Sequence, residues 1–105
     1  MPQFIIIAKD GEDEGALERR MAARESHINY SDMAVKIGEQ IMGAALLDQN
    51  EQMRGSVMVV EFDSIEKVQE WLEHEPYITG EVWQNLDIIP CKVGPSFEHL
   101  LKKKA

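Results

Sequence analysis

Two short runs constrain this chain more than anything else in it: Phe4-Ile5-Ile6-Ile7 and Val57-Met58-Val59-Val60. A strand turns successive side chains to opposite faces, so four large apolar residues in a row demand cover on both faces. Two such strands in a 105-residue chain point to one sheet inside one domain, because the length leaves no room for a second core.

The segments between them complete the pattern. Gln3 to Ala8 reads as the first strand and ends in the polar, glycine-bearing loop Lys9 to Gly15. From Ala16 into the thirties the chain reads as a helix, with Leu17, Met21, Arg24 and Ile28 as its inward stripe. Ser31-Asp32 favours a break or restart there, and Gly38 a stop. Ile41 to Leu47 reads as a second strand, Asp48 to Gln52 as a turn, and Ser56 to Phe62 as a third strand. Asp63 with Glu66 has capping-box spacing for a short helix that buries Ile65, Val68, Trp71 and Leu72. Pro76 ends or redirects that helix, and a last strand runs from about Val82 to Val93, bent at Pro90. The compact part covers about residues 3–95. The tail, 96–105, is a short docking helix through Phe97, Leu100 and Leu101 or a frayed end, with Lys102, Lys103 and Lys104 as a solvated basic tip.

The order β-α-β-β-α-β is the split βαβ arrangement of an α+β, ferredoxin-like domain. Its two helices cover one face of the sheet only. The apolar residues assigned to the other face form a patch larger than monomers tolerate, so the sequence predicts a homodimer, or a higher oligomer, packed sheet to sheet.

Composition narrows the function. The formal charge of −8 argues against nucleic acid or an anionic membrane as the main partner. No apolar run spans 18 residues, and the first residues lack the basic-then-apolar pattern of a signal peptide. The expected location is cytoplasmic. A single cysteine, Cys91, forms no internal disulfide and reads as a small buried hydrophobe. Phosphate-loop, dinucleotide, nucleophile-elbow and zinc motifs are missing, and His27, His74 and His99 fall in separate segments, so neither a metal nor a cofactor is expected.

His27 is the first candidate for chemistry. It follows Arg24 on the same side of the helix, and Asp10 ends the first strand, where a connection to a helix presents polar groups. A carboxylate beside an imidazole fixes its tautomer and builds a general acid–base. The plainer alternative is a helical histidine with a local hydrogen bond and a solvated Asp10. Tyr77 and Trp83 are the other candidates to line a pocket, with simple packing as the alternative for both.

Taken together, Ala8-Lys9-Asp10, Arg24-Glu25-Ser26-His27, Gly43 to Asp48, Gly55 to Phe62 and above all Glu75-Pro76-Tyr77 through Trp83 make the chain resemble the YCII-related (YciI-like) family. The resemblance runs from about Phe4 to Val93. It implies a ferredoxin-like protomer whose dimer closes two sheets into an α+β barrel, with His27 and Asp10 as a catalytic dyad. Arg24 and Tyr77 match other pocket residues of the family, and together with Pro76 and Trp83 they are the expected substrate-binding residues. It also implies cofactor-free acid–base chemistry, such as elimination, dehydrohalogenation or isomerisation, on a small hydroxylated aromatic or enolisable molecule. Two features depart from the family pattern: Glu75-Pro76-Tyr77 stands where many members have Asp-Pro-Tyr, and Gly43-Ala44-Ala45 where some have Ala-Gly-Pro. A non-catalytic ligand-binding or accessory dimer is the alternative, and a purely structural dimer a third.

Overall fold

The computed structural model describes residues 1–101; Lys102, Lys103 and Lys104 lie outside the described residues. Four strands, β1 (Gln3–Asp10), β2 (Gln40–Leu47), β3 (Met53–Glu61) and β4 (Trp83–Cys91), form one antiparallel sheet in the order β2-β3-β1-β4. Helix α1 (Ala16–Lys36) joins β1 to β2, while α2 (Ile65–Glu73) and the single-turn α3 (Pro76–Thr79) join β3 to β4. This is the expected ferredoxin-like topology.

The two apolar runs sit side by side at the centre, with Phe4 opposite Val60, Ile6 opposite Met58 and Ala8 opposite Ser56. Alternation sends Phe4, Ile6, Ala8, Met58 and Val60 into the core under the helices, where Val68, Leu72, Tyr77, Val82 and Trp83 join them. Ile5, Ile7, Val57 and Val59 turn to the other face and are only half-buried. A terminal 3-10 turn, Pro95–Leu100, lays Phe97 and Leu100 beside Ile5 and Val59, so the docking alternative for the tail describes the part up to Leu100. The strands β1 and β3 approach so closely at Gly55 that a Cβ there would stand 2.5 Å from the carbonyl oxygen of Ala8.

Three local expectations change. Helix α1 runs through Ser31-Asp32 without a break, because its packing decides its length and not its propensities. Its inward stripe is also different. Met21 and Ile28 are exposed, and Ala16, Arg20 and Ala34 are buried. The stripe packs a polar network, described below, and so carries small and polar residues. The cap of α2 is Ser64, whose Oγ accepts from the Lys67 backbone N–H at 3.3 Å, one residue later than the Asp63 start. Gly38 does end α1, with φ of 84°, a conformation that costs glycine nothing.

Candidate functional site

Positions 20, 24 and 27 of α1 recur at i, i+4 and i+7 and therefore share one side of the helix. That side faces β2 and β3 across a cavity of about 300 Å³. Arg20, Arg24 and His27 form one wall. Gln40, Gly43, Ala44 and Ala45 of β2 form the opposite wall, with Ser56 and Met58 of β3 and Tyr77 of α3 between them. No Asp or Glu lines this space, although the protein as a whole carries −8. A larger cavity of about 580 Å³ lies beside Trp71 and His74. Its Lys67, Glu70 and His74 are exposed and belong to no buried network.

The carboxylate that engages His27 is Glu75. Its two oxygens each lie 3.0 Å from His27 Nδ1, and its side chain is 1% exposed against 16% for the histidine. An ionised carboxylate only accepts, so Nδ1 carries the proton of this bond and Nε2 remains for a ligand. Glu75 is also the N-cap of α3, where Oε1 accepts from the Tyr77 backbone N–H at 2.9 Å. Pro76 takes the first helical position, where its missing N–H leaves nothing unsatisfied. One acid thereby orients both the imidazole and the turn that carries Tyr77. The Tyr77 ring stacks on His27 with centroids 3.8 Å apart and planes within 10°, and Trp83 meets His27 edge-on at 5.9 Å.

Asp10 is placed differently from the expected dyad. Its oxygens lie 2.9 and 3.1 Å from Arg20 Nη1, with both side chains buried. Asp10 ends β1 opposite Trp83, where Arg20 in the early turns of α1 reaches it before His27 can. The other arm of Arg20, Nη2, donates to Ser56 Oγ at 2.9 Å, and Trp83 Nε1 donates to the same hydroxyl at 3.3 Å. The Arg20 guanidinium carbon sits 4.7 Å from the Tyr77 ring centroid. Asp10 and His27 thus belong to one connected network, Asp10–Arg20–Tyr77–His27–Glu75, without touching as a pair.

Burial pushes the Asp10 carboxyl above its ordinary value, and the Arg20 hydrogen bond and charge pull it back. Burial also raises the Tyr77 phenol, against the charges of Arg20 and Arg24, so Tyr77 is a neutral donor at physiological pH. The Cys91 thiol is pushed up by burial as well, which suits a packing role and not that of a nucleophile. Among the described residues no group of three or more His, Cys, Asp or Glu could hold a metal ion. No helix among them is long and apolar enough to cross a membrane.

Of the residues expected at a site, His27, Arg24 and Tyr77 line the cavity, while Trp83 and Pro76 stand behind it as supports. Arg20, Glu75, Ser56 and Gln40 are the residues that sequence reasoning missed. The i, i+4, i+7 series of Arg20, Arg24 and His27 was visible in the chain. So was Glu75 as the acid of the Pro-Tyr segment. Nothing local marks Ser56 or Gln40.

Comparison with known proteins agrees with this architecture. Protein YciI of Escherichia coli O6:H1 (strain CFT073) is 26% identical over 95 residues, covering 85% of this chain and 95% of that protein. Among solved structures, the 5-chloro-2-hydroxyhydroquinone dehydrochlorinase of Burkholderia phenoliruptrix, in complex with 2,5-dihydroxybenzoquinone, superposes with a TM-score of 0.76. It is 21% identical, over 90% of this chain and 97% of its own. A dimeric ferredoxin-like protein from an uncultured marine organism gives a TM-score of 0.52 at 18% identity, over 89% and 90% of the two chains. At these identities the structures speak for the fold. The family model of the YCII-related domain matches residues 3–92, and the chain belongs to that family.

Proposed function

We propose that this protein is a cofactor-independent acid–base enzyme acting on a small, anionic, hydroxylated aromatic or enolisable molecule. The observation that carries the reading is His27, held at Nδ1 by a buried carboxylate and on one face by Tyr77, on the wall of a cavity lined with arginines and no acids. A desolvated, oriented imidazole with a free Nε2 is a proton shuttle. Arg24, with no acidic side chain lining the cavity beside it, holds the anionic oxygen of the substrate. Nε2 takes a proton from a substrate hydroxyl and returns it to the neighbouring ring or enol carbon. Isomerisation stops there. In an elimination a second hydroxyl proton leaves to His27 while the leaving group departs with its bonding pair. The role of Asp10 is to position, through Arg20, the stacked Tyr77.

A protein of this fold is a 5-chloro-2-hydroxyhydroquinone dehydrochlorinase, which makes that compound the first substrate to try. Chloride release should be measured for the wild type, His27→Ala and Glu75→Gln. General acid–base catalysis contributes about 10²–10⁴-fold, so His27→Ala should lose that much in kcat with a smaller change in KM. Turnover that survives His27→Ala would sink the assignment. Binding of 2,5-dihydroxybenzoquinone with no turnover of any chlorinated or enolisable analogue would favour the ligand-binding module.

We also infer that two copies pack through the open sheet face. Ile5, Ile7, Val57 and Val59 are half-buried there, and Met42, Ile89 and Phe97 are exposed. Light scattering should give twice the 12.0 kDa chain mass, and Ile5→Lys should halve it.

A further inference from the structure

The shuttle leaves two buried polar atoms of the cavity without a task. Gln40, 6% exposed at the start of β2, has no hydrogen-bond partner at Oε1 among the described residues, and neither has Arg20 Nε. An unpaired buried acceptor costs about 1–3 kcal/mol. Native proteins satisfy such groups almost everywhere, so an orphan on a cavity wall is a place where a ligand supplies the missing partner.

The backbone of β2 is shaped to put it there. The pairing of β2 with β3 shifts register between Gln40 and Met42. The extra residue changes the alternation, so that positions 40 and 43 both line the cavity instead of facing opposite sides. Gly43 then leaves the room that the amide fills, since a Cβ there would stand 2.9 Å from Gln40 Nε2. The terminal torsion of a glutamine is broad and roughly two-fold, so Oε1 turns to the cavity when a donor arrives.

We propose that Gln40, seated over Gly43, is the specificity-determining residue of this cavity and selects ligands that carry a free hydroxyl beside the anionic oxygen. The assignment rests on the cavity being the ligand site, as argued above. The ligand class is a phenol or enol with a neighbouring hydroxyl. One oxygen accepts from the arginine wall and the other donates to Gln40. A methyl ether at that second oxygen removes the donor and leaves Oε1 unpaired.

Catechol and 2-methoxyphenol are the probe pair, with dissociation constants read from the ring-proton shifts of His27 in the wild type, Gln40→Met and Gly43→Ala. The wild type should prefer catechol by roughly 5- to 100-fold, the equivalent of one buried hydrogen bond. Gln40→Met keeps the volume and should reduce the preference to within about twofold. Gly43→Ala displaces only the flexible tip of the amide and should weaken the preference with the melting temperature nearly unchanged. Equal binding of both probes by the wild type, or a preference undiminished in both variants, overturns the role of Gln40 and leaves the cavity as the ligand site. Failure of both probes to move the His27 signals in the wild type overturns the ligand site itself. Should Gln40→Met fail to fold, the wild-type pair and Gly43→Ala decide.

Discussion

Two acid–base pairs lie at opposite ends of one network, and they differ in what they leave open. In Asp10–Arg20 both side chains are buried, and the two terminal nitrogens of Arg20 are engaged by Asp10 and Ser56, with the plane against Tyr77 and only Nε unpaired. In Glu75–His27 the acid is as deeply buried, but the imidazole keeps one nitrogen toward a cavity. The first pair joins β1 to α1. The second holds a group ready for a ligand. A buried charge pair is therefore not by itself a sign of chemistry; what distinguishes the site is a half-buried titratable ring, with one nitrogen outside the pair, on the wall of a cavity.

The difference can be broken at either end, and stability should respond more at the closed one. Asp10→Ala leaves the Arg20 guanidinium uncompensated in the core, which costs about 3–5 kcal/mol and should show as a large fall in the urea midpoint. The double substitution Asp10→Leu, Arg20→Met should recover most of that loss, since desolvation already outweighs pairing at Asp10. A double variant no more stable than Asp10→Ala would mean that the contacts of Arg20 to Ser56 and Tyr77 carry the stability.

At the open end Glu75→Gln keeps an acceptor for Tyr77 N–H and loses only the charge on the bond to His27. A loss of about 1.5–3 kcal/mol is expected, together with a fall in kcat. Nitrogen NMR should then show His27 no longer confined to the Nδ1–H tautomer. If the tautomer is unchanged and activity still falls, charge and not orientation is the contribution of Glu75.

Away from both pairs, Gly55→Ala forces a methyl against the Ala8 carbonyl and should cost about 1–3 kcal/mol without altering the His27 signals. An altered His27 spectrum would show that β1 and β3 transmit strain to the site through Ser56.

The smallest effect belongs to an exposed pair. Asp13 accepts two hydrogen bonds from Arg19, at 2.7 and 2.8 Å, which lower its carboxyl from 3.8 to about 2. The folded value lies below the unfolded one, so its contribution is complete above about pH 4 and is lost as the pH falls toward 2. Asp13→Asn should flatten that part of the acid-unfolding curve and leave neutral-pH stability nearly unchanged. An identical acid limb in the variant would show that solvent already cancels the pair.

Much of the architecture was legible in the chain because it depends on patterns that are local or nearly so. The apolar runs of β1 and β3, the polar loop after Asp10 and the Gly38 stop each follow from side-chain periodicity or backbone freedom within a few residues. The YciI-like motifs added His27, Arg24 and Tyr77, all of which the structure brings to one cavity. The α1 stripe misled because periodicity locates an apolar face only where the opposing layer is apolar. Here that layer carries Asp10, Ser56 and Glu75, so Met21 is exposed, Ile28 stays exposed at the cavity and Arg20 is buried.

Partner choice was beyond the chain taken alone. Asp10 and Glu75 were both acids near candidate elements, 17 and 48 positions from His27. Which of them meets the imidazole depends on where α3 docks against α1. The β2 register shift likewise decides whether Gln40 sees the cavity or its outside. Sequence determined the elements, their order and the residue types available for chemistry. Tertiary structure alone decided which acid binds which base, because hydrogen bonds and ion pairs act over about 3 Å and only the packing of distant segments sets distances on that scale.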